Sequence, residues 1–282
     1  MSKNTKFGVL YIVATPIGNL EDISKRALNC LSSVDFCAAE DTRKSKILMN
    51  KYNITTRLVS YHNFSEKQKL KYLISNLKDG LNIALISDAG TPLISDPGYL
   101  LVKAAQEESI QVIPIPGPSS LISALSISGF PSDKFIFYGF PPKQQKAKQS
   151  FMKSLVSENR TSIVFESKRR IKDFLVDLEG LCPGRKVFIA REMTKLHETF
   201  YRGEINKVIS EISLDENSLK GEFVIVVEGI KEVKKEILLT NDQAKVLEII
   251  LEKMKKKEAL SLASKVFGIK KNSLYKFILE QK

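Results

Sequence analysis

The first 130 residues alternate between short apolar runs and longer stretches with helical spacing, and this alternation restricts the possible folds most strongly. The run "FGVLYIVATP" ends in turn residues, and the apolar positions after it recur at helical spacing: Ile23, Ala27, Leu28 and Leu31. The same order recurs when "DFCAAE" precedes "DTRKSKILMNKY", when "LNIALIS" precedes "YLLVKAAQEE", and when "IQVIPIPGPSS" enters a helix over residues 121–128. Four strands alternating with helices predict a mainly parallel α/β sheet, whose ligand lies at the loops after the carboxyl ends of the strands.

Short apolar runs also mark the second half of the chain: "KFIFYGF", "RTSIVFES", "KVFIAREM", "ETFYRGEI" and "GEFVIVVEG". Several are neighbours along the chain, which predicts antiparallel pairing. A Phe-Pro-Pro step at residues 140–142, followed by a Lys- and Gln-rich run, predicts a hinge or a mobile basic loop. We therefore expect an N-terminal α/β domain over residues 1–117, a C-terminal α/β domain over residues 118–232 and a helical extension over residues 233–282.

The last segment has helical spacing throughout. Its apolar residues at that spacing are Val246, Ile249, Ile250, Leu274, Phe277 and Ile278. Ser264, Gly268 and Leu274 follow the small, glycine, aliphatic spacing of a helix-turn-helix. Two interpretations stay open, a helical appendage that packs on the body of the protein and a unit that contacts nucleic acid.

Positive charge is concentrated in two parts of the chain. The formal net charge is +12, which predicts a polyanionic partner such as nucleic acid. Residues 143–172 hold nine Lys or Arg against two acids, and residues 231–282 hold thirteen lysines against seven acids, while the first 130 residues are nearly balanced. The alternative is that these are only the solvated faces of a Lys-rich protein.

Several protein classes are disfavoured by composition. Three cysteines and two histidines form neither a disulfide framework nor a familiar zinc spacing, so we expect no metal. No window reaches the roughly 18 apolar residues of a membrane span, and the N-terminus is polar. The sequence therefore predicts a cytoplasmic protein that does not enter a membrane.

Four loops at predicted strand ends are rich in glycine, proline and small polar residues. They are "TPIGN" (residues 15–19), "EDTRKS" (40–45), "SDAGTPLISDPG" (87–98) and "PGPSS" (116–120). Glycine and proline let the backbone approach a ligand and turn its N–H and C=O groups toward it. The loops predict a nucleotide-like pocket built largely from main chain. Neither a G-x-x-x-x-G-K-[ST] phosphate loop nor a G-x-G-x-x-G dinucleotide motif is present, which disfavours ATP hydrolysis and dinucleotide redox chemistry.

Seven motifs in order resemble the ribosomal RNA small subunit methyltransferase I family, the RNA-modifying branch of the tetrapyrrole methylase superfamily. They are "LYIVATPIGNLEDIS", "AAEDTRKS", "IALISDAGTPLISDPG", "IPIPGPSSLISALSISGFPSDKFIFYGFPP", "FESKRRI", "AREMTKLHETFYRG" and "KGEFVIVVEG". The resemblance spans residues 10–229, and the final helices resemble the helix-turn-helix extension of that family.

The resemblance implies a class III methyltransferase fold, in which two α/β domains hold the cofactor in the cleft between them. It implies that S-adenosyl-L-methionine is the methyl donor and that the acceptor is the ribose 2′-hydroxyl of one cytidine in the decoding region of 16S rRNA. It further implies a homodimer that acts on 16S rRNA or the small ribosomal subunit. Neither the exact nucleotide nor the need for an assembled subunit follows from the sequence.

Cofactor-binding positions carry over from the resemblance one by one. Asp88 stands at the aspartate of the superfamily's G-D-P motif, next to Ser87 and Ala89. The turn after Asp88 is longer than in porphyrin enzymes, so Thr91 and Ile94 compete for one contact. The other implied positions are Ile17 in the first glycine loop, Ser119 and Ser120 after the "PG" turn, Glu166 or Phe165, and Met193. As alternatives, Ile17 could be a core residue, the two serines could cap a helix and Met193 could fill a gap.

Methyl transfer needs neither a covalent nucleophile nor a metal, because the sulfonium already activates the methyl group and orientation supplies much of the rate. We expect Glu40 and Arg43 to line the active site and Lys195 to lie near it. These residues could instead form a salt-bridged frame or bind rRNA phosphates, and the sequence assigns no base. The expected RNA contacts come from the two basic clusters: Lys143, Lys146, Lys168, Arg169, Arg170, Lys270 and Lys271.

Two rival functions remain. A porphyrin- or corrin-type methyltransferase would share the fold and the cofactor, but clustered positive charge and C-terminal helices suit a macrocycle substrate poorly. A DNA-binding regulator with a ligand-sensing α/β body would use the terminal helices to read the major groove.

Overall fold

The computed structural model describes residues 7–62, 66–214, 219–230 and 239–280. The chain folds as two compact units, Met1–Ile230 and Lys231–Lys282. The first unit holds two five-stranded sheets. The predicted domain division after residues 117 and 232 stays a prediction.

The first sheet is entirely parallel and has the strand order β3-β2-β4-β1-β5. Its strands are β1 (Val9–Val13), β2 (Phe36–Ala39), β3 (Arg57–Ser60), β4 (Ile83–Ile86) and β5 (Gln111–Ile115). Its helices are α1 (Lys25–Ser33), α2 (Thr42–Lys51), α3 (Glu66–Lys78) and α4 (Tyr99–Glu107), with a short 3₁₀ helix at Leu20–Asp22. One core lies between the sheet and α1 and α2, and another lies between the sheet and α3 and α4. The predicted parallel α/β architecture is confirmed.

Four strands were predicted for this sheet, and the structure adds β3 and α3. β3 is a four-residue strand at the edge of the sheet, and none of its residues is buried. It was missed because the other strands were predicted from their runs of apolar residues, and β3 has no such run. β2 and β4, by contrast, are buried at every position.

The second sheet is mixed, with the order β6-β7-β10-β8-β9. Its strands are β6 (Phe135–Gly139), β7 (Thr161–Ser167), β8 (Lys186–Arg191), β9 (Thr199–Glu204) and β10 (Glu222–Val227). β8 and β9, which are neighbours along the chain, pair antiparallel as predicted. The neighbours β6 and β7 instead pair in parallel, and β10 pairs antiparallel with β7 and β8. Helices α6 (Gln145–Ser157), α7 (Ile171–Leu181) and α8 (Ile205–Ser213) cover one face, and α5 (Ser120–Ser128) packs on the other face against β8 and β10.

The hinge or mobile loop predicted after residue 142 is wrong for most of its length. α6 begins at Gln145 and buries Met152 and Leu155 against the core of the second sheet. The many lysines and glutamines hid the amphipathic pattern, because only a narrow stripe of this helix faces the core.

In the second unit, residues 239–280 form three helices: α9 (Asn241–Lys253), α10 (Lys256–Phe267) and α11 (Lys271–Glu280). Gly268 ends α10 with a φ of 68°, the left-handed conformation that favours glycine. Leu247 and Leu274 lie in its core, but Val246 and Ile249, which the helical spacing had grouped with the apolar stripe, are exposed. Among the described residues, no helix is long and apolar enough to cross a membrane.

Candidate cofactor cleft

A cleft of about 650 Å³ opens where the loops of the first sheet meet the second sheet. One wall comes from the loops after the carboxyl ends of β1, β2, β4 and β5. The other wall comes from residues after β6, at the ends of β7 and β8, and at the start of β10. Its volume lies in the range of small-molecule sites, and its position matches the predicted loop edge of a parallel sheet.

The loops after β1 and β4 are joined where these strands are neighbours. Thr15 N donates to Gly90 O at 2.9 Å, and Gly90 N donates to Thr15 O at 3.0 Å. Gly90 has a φ of 77°, so a residue with a side chain would be strained there. Ser87 is only 3% exposed, and its hydroxyl lies 3.2 Å from Ala89 O. Ser87 therefore holds the turn and does not line the cleft.

Asp88 ties together the loops after β2 and β4. Its Oδ1 accepts a hydrogen bond from Asp41 N at 3.0 Å, and its Oδ2 pairs with Lys44 Nζ at 2.7 Å. The Asp88 N–H donates to Glu40 Oε2 at 3.3 Å. The hydrogen bond to Asp88 raises the pKa of Lys44, and burial raises the pKa of Glu40. Asp88 thus fixes the charged part of this wall.

The long turn after Asp88 brings three consecutive residues to the cleft. Leu93 and Ser95 adopt φ values of 73° and 70°, which residues with side chains rarely do. Ile94, Ser95 and Asp96 line the cleft as a result. Burial, and after it the charge of Glu40, raise the pKa of Asp96 to about 6.

On the opposite wall Glu166 is 2% exposed, and its Oε1 has several polar partners. It pairs with Arg170 Nη2 at 2.9 Å and accepts a hydrogen bond from Ser167 N at 2.7 Å. Arg170 also donates to Pro141 O at 2.9 Å. Arg170 had been expected to contact RNA, but its guanidinium is directed at these internal partners.

The loop after β8 is held by ion pairs at the cleft wall. Lys195 Nζ contacts Glu192 Oε1 at 3.0 Å and Glu222 Oε2 at 2.8 Å. Burial lowers the pKa of Lys195, but the hydrogen bonds to Glu222 and Glu192 outweigh it and raise that pKa overall. Glu192 and Thr194 both have positive φ values, 50° and 63°. The backbone here is strained, as is common at functional sites.

A close contact joins the two walls at one end of the cleft. Asn19 N donates to Thr194 Oγ1 at 3.0 Å. A Cβ on Gly18 would lie 2.5 Å from Lys195 Cγ and 2.9 Å from Met193 O. Gly18 therefore permits a backbone approach that a larger residue would block.

Most of the predicted cofactor and catalytic residues lie together in this cleft. Those that line it are Ile17, Glu40, Asp88, Ala89, Thr91, Ile94, Ser119, Ser120, Glu166, Met193 and Lys195. Phe165, the alternative to Glu166, lines it as well. Arg43 does not, because its side chain is 89% exposed and pairs with Asp41 at 2.8 Å. The roles of these residues remain predictions.

Four charged residues of the cleft were not selected from the sequence: Lys44, Asp96, Glu192 and Glu222. All four lie inside motifs quoted above, but a sequence motif does not show which of its charged side chains face the cleft. Glu192 and Glu222 become partners only through the pairing of β8 with β10.

Among the predicted RNA contacts, Lys143, Lys146, Lys168 and Arg169 are exposed, and Lys168 also lines the cleft. In the second unit Lys270 and Lys271 are exposed at the start of α11. That these residues bind RNA remains a prediction.

Two family models match the chain. One, described as Tetrapyrrole (Corrin/Porphyrin) Methylases, matches residues 9–209, and the other, described as RsmI C-terminal HTH domain, matches residues 239–282. The chain is 44% identical over 281 residues to a ribosomal RNA small subunit methyltransferase I from Escherichia coli O157:H7, covering 99% of this chain and 98% of the relative. A protein of the same name from Thermotoga maritima is 47% identical over 222 residues, covering 79% of this chain and 99% of the relative.

Solved structures with low sequence identity share the fold. A diphthine synthase superposes with a TM-score of 0.61 at 14% identity, covering 79% of this chain and 90% of that structure. The cobalt precorrin-4 methyltransferase superposes with a TM-score of 0.58 at 15% identity, covering 78% of this chain and 94% of that structure. The predicted class III methyltransferase fold is thereby confirmed. Because these names differ in substrate, the fold alone does not identify the methyl acceptor.

Proposed function

This chain belongs to the tetrapyrrole methylase family, within the group named ribosomal RNA small subunit methyltransferase I, and we propose that it methylates the ribose 2′-hydroxyl of a cytidine in 16S rRNA. It is a methyltransferase, and S-adenosylmethionine is its methyl donor. The observation that best supports 16S rRNA as the methyl acceptor is the 44% identity over nearly the whole length of the Escherichia coli relative.

The chemistry of the cleft fits this donor. When bound, S-adenosylmethionine supplies a methyl group already activated on a sulfonium cation. Carboxylates on the cleft wall suit a cation, and the buried apolar side chains of Ile17 and Met193 suit the adenine ring. Asp88, already fixed by Lys44 and Asp41, supplies a carboxylate that needs no rearrangement before binding.

Ser119 and Ser120 offer polar contacts at the start of α5. Ser119 occupies the N-cap position, yet its side chain makes no capping hydrogen bond. Within the described part of the chain, neither serine hydroxyl forms a hydrogen bond. This favours a role in holding the cofactor over the alternative that Ser119 only caps the helix.

A basic rim supports RNA as the acceptor. Lys168 lines the cleft, and Arg169 follows it on the surface. Lys143 precedes α6 and Lys146 lies in its first turn, and α6 packs beside α7. Arg170, held by Glu166, fixes the backbone that presents Lys168 and Arg169. Exposed lysine and arginine side chains bind phosphates without reading sequence, so this surface would orient the strand while the cleft receives one ribose.

We extend the proposal to the setting in which the enzyme works. Its substrate is made and assembled in the cytoplasm, so we expect it there, acting on the small ribosomal subunit or its rRNA. Exposed apolar side chains on α5, among them Ile122 and Ile127, support self-association into a homodimer. Sedimentation equilibrium of the purified protein tests the dimer.

A transfer assay with competing acceptors tests the proposed function. The protein is incubated with methyl-labelled S-adenosylmethionine and, separately, with small ribosomal subunits, naked 16S rRNA and a porphyrin precursor. We expect label in RNA, and comparison of subunits with naked rRNA identifies the substrate form. Label only in the porphyrin would overturn the proposed acceptor and keep the fold.

A further inference from the structure

The carboxylates of the cleft divide into those with a cationic partner and those without one. Among the described residues, six carboxylates line the cleft: Glu40, Asp88, Asp96, Glu166, Glu192 and Glu222. Asp88 pairs with Lys44, Glu166 pairs with Arg170, and Glu192 and Glu222 share Lys195. Within the described residues, neither Glu40 nor Asp96 forms an ion pair.

The fold holds Asp96 in the cleft at a conformational cost. It follows Leu93 and Ser95, both at positive φ, and precedes Gly98, whose φ is 131°. A Cβ on Gly98 would lie 2.7 Å from Leu85 Cδ2, so the end of the turn is pressed against the core. Strain of this kind persists only where surrounding packing imposes it, and it is typical of functional positions.

The neighbours of Asp96 keep its carboxylate basic. Burial above all, and then the negative charges of Glu40 and Asp88, raise its pKa to about 6, although a hydrogen bond from the Ser87 hydroxyl opposes part of the increase. Glu40 itself has a raised pKa because of burial, and it faces Asp88, Lys44 and Asp41. An acid of this strength is mostly ionised at neutral pH and still basic enough to accept a proton.

We propose that Asp96 is the catalytic residue that accepts the proton of the ribose 2′-hydroxyl, and that Glu40 is the positioning residue that maintains its basicity. The proposal rests on the proposed function. Lys195 had been a catalytic candidate, but its ammonium group is held by two carboxylates and has no lone pair with which to accept a proton.

The transfer needs no reactant other than the ribose hydroxyl, S-adenosylmethionine and water. The ribose oxygen forms a bond to the methyl carbon while the bond from that carbon to sulfur breaks, and the bonding electron pair stays on sulfur. The O–H bond of the hydroxyl breaks, and its proton goes to an oxygen of the Asp96 carboxylate. Water then takes this proton, so the carboxylate is regenerated.

The test compares full-length Asp96→Asn and Asp96→Glu with the wild-type protein. Single-turnover methylation of unmodified small ribosomal subunits is followed from about pH 5 to about pH 9, and calorimetry gives the S-adenosylmethionine affinity of each protein. Asp79→Asn is the matched control, because Asp79 is an exposed carboxylate at the end of α3, outside the cleft. Thermal melting verifies that each variant is folded.

We expect the wild-type rate to rise with pH through about 6 and then to level. Asp96→Asn should lose roughly 10²- to 10⁴-fold in rate together with this rise, while the cofactor affinity stays within about threefold. Asp96→Glu should recover part of the rate, and Asp79→Asn should match the wild type. Glu40→Gln should move the rise to lower pH, because it removes a neighbouring negative charge.

Three results would overturn the proposal. Asp96→Asn could keep a rate within about threefold of the wild type, or its rate could fall only in proportion to a weaker cofactor affinity, which would make Asp96 a binding residue. The methylation rate of Glu40→Gln could also rise over the same pH range as that of the wild type. A wild-type protein that binds the cofactor but methylates no rRNA would instead contradict the proposed function itself.

Discussion

The charged residues of the cleft are ordered by a few short contacts. Asp88 accepts from both Asp41 N and Lys44 Nζ, and Lys195 lies between Glu192 and Glu222. These pairs fix side chains before a ligand arrives, which lowers the entropic cost of binding. Asp96 has no such ion pair in the described part of the chain, and burial and neighbouring carboxylates both disfavour its charge.

Asp96→Asn should therefore make the folded protein more stable at neutral pH. The pKa of Asp96 is raised from 3.8 to about 6 in the folded state, so ionisation destabilises the folded state as pH rises across that window, and the penalty then stays constant. A neutral side chain removes a penalty of about 1 kcal/mol, after allowance for partial solvent screening.

Urea unfolding of both proteins at several pH values measures this difference. The free energies of unfolding should converge below about pH 4 and separate above about pH 6. A variant less stable than the wild type at neutral pH would show that the carboxylate is not strained in the folded protein.

At the scale of elements, the cleft depends on backbone segments that approach one another closely. Gly18→Ala should push the loop after β1 away from the loop after β8, since its Cβ would lie 2.5 Å from Lys195 Cγ and 2.9 Å from Met193 O. We expect a loss of about 1–3 kcal/mol in stability and a weaker affinity for S-adenosylmethionine.

Thermal melting and calorimetry of the Gly18→Ala protein measure both effects. Gly180→Ala in α7 is the matched control, because its Cβ would meet nothing within 4 Å. That substitution should be neutral or stabilising by up to about 1 kcal/mol. Equal behaviour of the two variants would argue against close packing at Gly18.

The basic residues on α6 and before α7 carry the second prediction at this scale. Lys146→Glu combined with Arg169→Glu should weaken RNA binding, because both side chains are exposed and Arg169 follows Lys168, which lines the cleft. The slope of log K against log salt should fall by roughly 0.7–0.9 for each phosphate that the protein no longer neutralises. Fluorescence anisotropy at several salt concentrations measures affinity and slope.

Arg57→Glu is the control for this charge change. Arg57 is exposed and begins β3, at the end of the first sheet opposite the cleft. It should leave affinity and slope near the wild-type values. An unchanged slope of log K against log salt in the double variant would contradict the proposal that these residues bind RNA.

The sequence predicted the elements that bury much apolar surface and missed one that buries little. β2 and β4 are buried throughout and were recognised, whereas β3 is a short edge strand and was missed. The motif around Asp88 correctly predicted the wall of the cleft that the loops of the first sheet form. The ion pair of Lys195 with Glu222 could not be predicted, because it depends on the register between β8 and β10.

At the scale of the whole molecule, the chain divides into an α/β unit and a helical unit with a core of its own. The Thermotoga maritima relative is matched along 99% of its length by 79% of this chain, so about a fifth of this chain has no counterpart there. Relatives of the same name thus differ by a segment about as long as the helical unit.

Removal of residues 231–282 should leave the affinity for S-adenosylmethionine within about twofold of the full chain, because, in the part of the chain that the structure describes, the residues lining the cleft all precede residue 225. Methylation of the small subunit should fall, since the basic residues of the helical unit are removed. Calorimetry and the transfer assay measure the two effects. Loss of cofactor binding in a folded truncated protein would contradict the assignment of the cofactor site to the α/β unit alone.

The proposed methyl transfer is tested most directly by mapping the product. After reaction with labelled S-adenosylmethionine and small ribosomal subunits, the 16S rRNA is digested with nucleases and its fragments are analysed by mass spectrometry. We predict one methyl group on the ribose of a single cytidine. A methyl group on a base, or no methyl group on the rRNA despite cofactor binding, would contradict the proposed function.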